Sequence, residues 1–209
     1  MPVITVARQY GSLGDEIALE VANRLGLRLV GQDLMLEVAE RLGIPASKVG
    51  PDEERDSGLV SELVRTMRRL YPATIAPAQA DESADLDEAA YLQMTRQMIW
   101  EVARGNDAVI VGRGATFVLE SNPEVLHVLL VAPLQSRVER VMATHNVDYQ
   151  RATNQVKAAD THRARYIRRY FRTNWLDVGH YDLVLNTTHF SQLATVDLIC
   201  AAAQPGPSA

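Results

Sequence analysis

Three stretches of this sequence combine residue types that handle phosphate groups. The first is Gly11-Ser12-Leu13-Gly14, set between an apolar run and an amphipathic one. Glycines let a backbone approach a phosphate, and a helix starting there aims N–H donors and partial positive charge at it. In the common phosphate loop, G-x-x-x-x-G-K-[ST], the lysine reaches the β- and γ-phosphates and the hydroxyl holds Mg2+. Here Asp15 and Glu16 stand at those two places. Taken alone, the stretch fits better a tight strand-to-helix turn whose two acids favour their own helix dipole. The second stretch is Val111-Gly112-Arg113-Gly114. An arginine in a Gly-flanked turn can clamp a phosphate bidentately, or it can pair with a surface carboxylate. The third holds Arg163, Arg165, Arg168, Arg169 and Arg172, five arginines in ten residues. At helical spacing Arg165, Arg169 and Arg172 share a face, and Asp160 lies three residues before Arg163, where the two can pair. Such a helix can be a lid that closes arginines over phosphates. It can also be a solvated charge-laced face, or an RNA-binding stripe with Tyr166, Tyr170 and Phe171 interleaved.

Other chemistry finds less support. The histidines at 127, 145, 162, 180 and 189 form no metal-ligand spacing, and His127, inside an apolar run, reads as a satisfied core residue. No Ser/His/Asp arrangement can be argued from spacing. The single cysteine, Cys200, excludes an intrachain disulfide, fits a reducing compartment and lies in an apolar stretch as a small core residue. The net charge of -5 argues against non-specific nucleic-acid binding. No charged leader precedes an apolar segment, and no apolar run approaches the ~20 residues of a membrane helix. The expectation is a soluble, cytoplasmic protein with no membrane partner.

The elements that would position these residues alternate between strand and helix. Val3–Ala7, Leu27–Val30, Ala108–Val111, Val125–Val131 and Tyr181–Asn186 are short apolar runs that predict buried strands. Helices are predicted from Asp15 to Gly26 and over Asp33–Leu42, Leu59–Tyr71, Leu86–Arg104, Leu134–Thr144, most of Tyr149–Arg172, and Gln192–Ala203. Residues 44–58 read as a connector, Pro72–Asp85 as a mobile segment rich in Pro, Ala and acids, and 204–209 as a disordered tail. This order predicts one α/β domain over residues 1–203, with a helical region at 44–107 and an arginine-rich lid at 146–175. Its five strands form a parallel sheet between helical layers. Ligands of such sheets bind at the carboxyl ends of strands, which selects the loops after Ala7, Val111 and Val131.

Taken together, these pieces resemble the cytidylate kinase-like family. ITVARQYGSLGDEIALEVANRLG is similar to its first strand, phosphate loop and helix; AVIVGRGATFVLESNPEVLHVLLVAP is similar to its third and fourth strands. LQSRVERVM resembles the helix leading into its lid, Asp160-x-x-Arg163 its lid-side pair, and YDLVLNTTHFSQLATVDLI its last strand and helix. The resemblance implies a P-loop NTPase-type three-layer sandwich with a helical lid. It implies transfer of the ATP γ-phosphate, with Mg2+, to a pyrimidine monophosphate. By position, Gly11, Ser12, Leu13 and Gly14, with Arg8, would bind the nucleotide phosphates. Arg113 and Arg163 would hold the acceptor phosphate, and Asp160 would touch its nucleoside. Arg137, Arg168 and Arg169 would stabilise the transferring charge.

Three positions depart from the family pattern: Asp15 replaces the lysine, Val111 replaces an Asp before Gly-Arg, and Val30-Gly31-Gln32-Asp33 replaces Asp-Ser-Gly. A carboxylate about 4 Å from a phosphate charge costs on the order of 4 kcal/mol at an effective dielectric of ~20. Three functions follow. One is a nucleotide kinase whose lysine role passes to Arg8 or a lid arginine. Another is a non-catalytic nucleotide-binding or regulatory protein. The third is an RNA-associated module, which the acidic charge disfavours. In each of the first two the partner is a nucleotide or other small phosphorylated ligand. The helices around 59–104 are available to cover the site or to form a homodimer interface.

Overall fold

The computed structural model describes residues 2–31, 83–105 and 107–204, with backbone alone over 83–91. The elements in chain order are β1 (Val3–Arg8), α1 (Gly14–Leu25), β2 (Arg28–Val30), α2 (Ser83–Arg104), β3 (Ala108–Val111) and α3 (Ala115–Val118). They continue with β4 (Val125–Val131), α4 (Leu134–His145), α5 (Tyr149–Phe171), a 3-10 turn (Val178–His180), β5 (Leu183–Asn186) and α6 (Gln192–Ala202). The chain divides into a unit of residues 1–30 with 99–209 and a unit of residues 31–98. The sheet and every expected site residue belong to the first; α2 begins in the second and ends in the first, from Ile99 onward.

The five strands are parallel in the order β2-β3-β1-β4-β5. The central strand β1 pairs from Val3↔Ala108 to Val6↔Val111 on one side, and from Val3↔Val125 to Arg8↔Leu130 on the other. This register brings the carboxyl ends of β1, β3 and β4 to one edge. The chain reverses its direction across the sheet at β1, so the loop after β1 opens at the switch point where such sheets bind ligands.

The inner strands β1, β3 and β4 are largely buried on both faces, as continuous apolar runs predict, whereas the edge strands β2 and β5 expose Arg28 and Val184. One face sets Ile4, Val6, Val109, Val111, Val128 and Leu130 against Ile17 and Val21 of α1 and Val196 and Ile199 of α6. On the other, Leu129 meets Ile167 of α5 and Trp175. The first half of α5 packs elsewhere, its Ala152 and Val156 on Val138 and Val141 of α4. Cys200 is half-buried against the main core, and burial pushes its thiol pKa up, so little thiolate is present.

Several boundaries differ from expectation for local reasons. Arg8 belongs to β1 because it still pairs with β4. Gly14 is the first residue of α1 rather than the last of the loop. Tyr181 and Asp182 fall outside β5: the Tyr181 hydroxyl donates to Trp175 O (2.6 Å) and the Asp182 carboxylate accepts from His127 N (2.7 Å). Helix α5 stops at Phe171, and Arg172 caps it in the left-handed conformation, so the expected row of three arginines loses its third member. Helix α2 begins at Ser83 rather than Leu86, and the four-residue α3 was not expected. The remaining segment 72–82, the helices expected at 33–42 and 59–71, the connector 44–58 and the tail residues 205–209 lie outside the described residues.

A polar chain crosses the buried sheet: Thr116 Oγ1 to Thr5 Oγ1 at 3.0 Å, and Thr5 Oγ1 to His127 Nδ1 at 2.7 Å. His127 is buried, as expected of a core histidine, and its ring also meets the Leu119 backbone. Burial pushes its pKa below the ordinary 6.5, against the raising effect of the Asp182 and Glu120 carboxylates. The unfolded chain therefore takes up a proton that the folded chain resists. This contribution is fully present above pH 6.5 and is lost as pH falls below it toward the lowered value. Urea unfolding is expected to show lower stability at about pH 5.5 than at about pH 7.5, and His127→Gln to reduce that difference. An unchanged pH dependence in the variant would assign it to other groups.

Candidate active site

The loop after β1 is held from several sides. Gln9 N–H donates to Leu130 O (3.0 Å), and the Gln9 side-chain oxygen accepts from Ala132 N (3.0 Å), which moors the loop to the end of β4. Ser12 N–H closes a turn onto Gln9 O (3.1 Å). Gly11 has a φ of +79°, and a side chain there would lie 2.8 Å from Arg137 O. Leu13 adopts a φ of +62°, a conformation that costs an L-residue about 1–2 kcal/mol. Its side chain packs against the main core, which offsets that cost. Leu13 is also the N-cap of α1, and no side chain caps that terminus. The first-turn N–H groups that Ser, Thr or Asp usually satisfies are thus left to another acceptor.

Two arginines flank this loop in opposite energetic situations. Arg8 leaves the end of β1 and crosses Gly14, where an added Cβ would lie 2.4 Å from Arg8 Cβ. Its Nε and Nη2 reach Asp15 Oδ1 at 3.2 and 3.1 Å. Asp15 is 71% exposed, so this pair contributes about 1 kcal/mol or less. Arg8 Nη1 is buried and lacks a partner among the described residues, as does Ser12 Oγ. Arg137 is instead 5% exposed. Its Nε donates to Ala132 O (2.9 Å), and its Nη1 to Tyr10 O (3.1 Å) and Asp160 Oδ2 (2.7 Å). Removing one partner from a buried pair of this kind costs about 3–5 kcal/mol.

The sequence profile of the cytidylate kinase-like family matches residues 3–189. The chain belongs to the cytidylate kinase-like family. Cytidylate kinase from Methanopyrus kandleri is 28% identical over 134 residues, 60% of this chain and 67% of that protein. Cytidylate kinase from Sulfolobus acidocaldarius is 27% identical over 121 residues, 57% of this chain and 63% of that protein. A uronate isomerase from Corynebacterium glutamicum is 32% identical over 122 residues, 57% of this chain and 24% of that protein. The matches thus span from 24% to 67% of the lengths of these relatives. An uncharacterized protein from Eubacterium ventriosum superimposes with a TM-score of 0.62 at 19% identity, covering 97% of this chain and 98% of that one. Shikimate kinase from Bacteroides thetaiotaomicron superimposes with a TM-score of 0.51 at 13% identity, covering 96% and 97%. These likenesses show a shared α/β fold with a five-stranded parallel sheet.

On this cytidylate kinase-like frame, Arg8, Gly11, Ser12, Leu13 and Gly14 come together at the loop after β1, with Arg137 and Asp160 against its outer side. Asp160 Oδ1 accepts from Tyr10 N (3.1 Å), and Arg163 Nη1 lies 3.7 Å from the same oxygen. The Arg163 guanidinium also sits over the Trp175 ring, 5.4 Å from its centroid. The Gly-Arg turn has three successive left-handed residues, Gly112, Arg113 and Gly114. It joins the same sheet edge through Gly112 N to Val6 O (3.1 Å). A side chain at Gly114 would meet the Phe171 ring at 2.7 Å, so this turn lies against the end of α5. Arg168 and Arg169 are exposed on α5, and Arg168, eight residues beyond Asp160, is about 12 Å further along the helix axis.

Sequence reasoning missed Gln9, Tyr10 and Arg140. Arg140 donates to Gly11 O (3.3 Å), Thr187 Oγ1 (2.9 Å) and Thr187 O (2.7 Å), joining the loop to the end of β5. Its i, i+3 spacing from Arg137 places both on one side of α4, but backbone carbonyls as partners leave no mark in a sequence. His180 provides a second unforeseen link: its Nδ1 lies 2.7 Å from Glu120 Oε1 and its Nε2 2.8 Å from Thr173 Oγ1. That strap joins the end of α3 to the end of α5. Among the described residues there is no cluster of three or more His, Cys, Asp or Glu able to hold a metal ion, and no helix long and apolar enough to cross a membrane.

The close approach at Gly14 is a test of this geometry. Gly14→Ala sets a methyl group against the stem of Arg8, near its backbone, where little can yield. The variant is expected to lose about 1–3 kcal/mol of stability in urea unfolding. A loss within about 0.5 kcal/mol, the usual effect of a surface change, would contradict the close packing.

Proposed function

We propose that this protein is an ATP-dependent phosphotransferase of the nucleotide-kinase type, in which Arg8 supplies the cation that a loop lysine supplies elsewhere. One observation carries the reading: Arg8 is a cation at the open N-terminus of α1, and its ion pair with Asp15 there is weak. A polyphosphate can displace one exposed carboxylate from Arg8 at small cost, and it satisfies the buried Arg8 Nη1 and Ser12 Oγ. Arg137 cannot be recruited so cheaply, since its donors are engaged in a buried set of bonds.

These residues fit a nucleotide triphosphate at the loop Gly11–Gly14. Bound ATP would supply the transferable phosphoryl group, and its Mg2+ is an ion held largely by phosphate and water oxygens in such sites. The chain's own part is positioning and charge neutralisation, with little covalent work. Arg8, the loop N–H groups and the α1 terminus bind and orient the donor phosphates. Arg113, on its three-residue left-handed turn, and Arg163 hold a small monophosphate acceptor of the cytidylate type. Arg168 and Arg169, exposed on α5, are the cations that approach the transferring phosphoryl group as the site closes and water leaves.

The test is ADP release from Mg-ATP across a panel of nucleoside monophosphates and small alcohols. Turnover is expected with at least one monophosphate, to fall about 100-fold or more in Arg8→Ala and less in Arg8→Lys. Asp15→Asn is expected to tighten ATP binding by up to about fivefold, equivalent to the ~1 kcal/mol of the exposed pair. No turnover above background with any acceptor would sink the kinase reading. The Arg8–Asp15 contact also favours a second reading, a nucleotide-binding protein without transfer. That reading requires a nucleotide to raise the melting temperature while no ADP forms.

A further inference from the structure

Asp160 and Arg137 together grip one residue of the loop. Asp160 accepts from the Tyr10 N–H, and Arg137 donates to the Tyr10 C=O while also pairing with Asp160. Both hydrogen-bonding groups of the Tyr10 backbone are therefore fixed by a single ion pair. A trans peptide points its C=O and N–H in opposite directions. Holding the Tyr10 C=O toward α4 turns the Gly11 N–H of that peptide away from α4. Arg140 holds the next carbonyl, Gly11 O, in the same way. Gly11 itself lies so close to α4 that a side chain there would meet Arg137 O at 2.8 Å. The loop thus cannot rotate its peptides without disturbing α4.

We infer that Asp160 is a positioning residue for the phosphate loop: through Tyr10 and Arg137 it aims the Gly11 N–H at the donor phosphates. This role differs from the contact with an acceptor nucleoside that the family resemblance implies. It rests on the reading of the loop as a phosphate site. It also gives α5 a second task. Asp160 lies on the same helix as Arg163, so the helix that carries an acceptor-side arginine also shapes the donor-side loop. Docking of α5 on α4, through Ala152 and Val156, is then a condition for an assembled donor site.

Two variants and a control test this. Asp160→Ala removes both bonds; Asp160→Asn keeps the shape and one acceptor for Tyr10 but loses the charge facing Arg137. Inorganic triphosphate, which has neither base nor acceptor group, is the probe, titrated by calorimetry. Backbone amide exchange at Tyr10 and Gly11 is followed by NMR. In Asp160→Ala the Tyr10 amide is expected to exchange at least tenfold faster, and triphosphate affinity to fall by about tenfold (about 1.4 kcal/mol). Asp160→Asn falls between it and the wild type. Any acceptor identified by turnover is expected to keep its KM within about threefold. Ile167→Ala, a core truncation in the same helix, controls for general destabilisation and is expected to leave triphosphate affinity unchanged. The inference is overturned by an unchanged Tyr10 exchange rate, by an equal loss in Ile167→Ala, or by a raised acceptor KM with triphosphate binding intact. If the wild type binds no triphosphate, the phosphate-loop reading fails. The brace on Tyr10 then stands or falls on the exchange rates alone.

Discussion

The guanidinium of Arg137 is the constraint around which the functional edge of this protein is arranged. Bringing a cation to 5% exposure costs several kcal/mol unless its donors meet acceptors. Those acceptors come from three places: Ala132 O at the end of β4, Tyr10 O in the loop after β1, and Asp160 on α5. Satisfying one side chain therefore ties the sheet edge, the loop and the long helix together. Arg140, one turn further along α4, extends the tie to Thr187 after β5. The loop keeps its shape because its carbonyls answer to arginines on a helix that is itself packed through Val138 and Val141.

The arginines of this chain divide by how far they are committed. Arg137 and Arg140 hold backbone carbonyls and serve as struts. Arg8 has an exposed and weak carboxylate partner, and it lies where a helix presents uncapped donors. Arg168 and Arg169 are exposed on α5. The energetic contrast between struts and lightly held cations separates architecture from ligand handling better than residue type does. It also gives Asp15 a consistent place. The acid that stands where a lysine is usual pairs with the arginine that projects across Gly14, and it leaves the loop electrostatically balanced when no anion is bound.

Much of the fold was legible in the chain. β3 and β4 fall where apolar runs predicted them, and β1, β2 and β5 differ by one or two residues at an end, because a buried parallel strand must be apolar on both faces. The ends of α1 and α5 were less legible. They depend on cap conformations, Leu13 and Arg172 in the left-handed region, that neither residue type announces. The site was legible as a set of glycines and arginines but not as a set of contacts. Asp160 and Arg163 were expected as a pair from their spacing, and they lie 3.7 Å apart; that Asp160 also bonds Tyr10, 150 residues earlier, has no local signature. His127 shows the converse. Its apolar surroundings predicted burial, yet its hydrogen bonding depends on Thr5, from a strand 122 residues away.

The sequence by itself determined the alternation of strands and helices, the parallel sheet they require, and the three glycine and arginine stretches at its functional edge. These follow from short-range physics: periodicity, the permissiveness of glycine and the charge of arginine. Tertiary structure decided which arginine is held and which is available. That decision depends on the acceptors each guanidinium meets and on how far water is excluded around it. Both are properties of the assembled sheet edge, where β1, β4, α4 and α5 bring distant residues within hydrogen-bond reach.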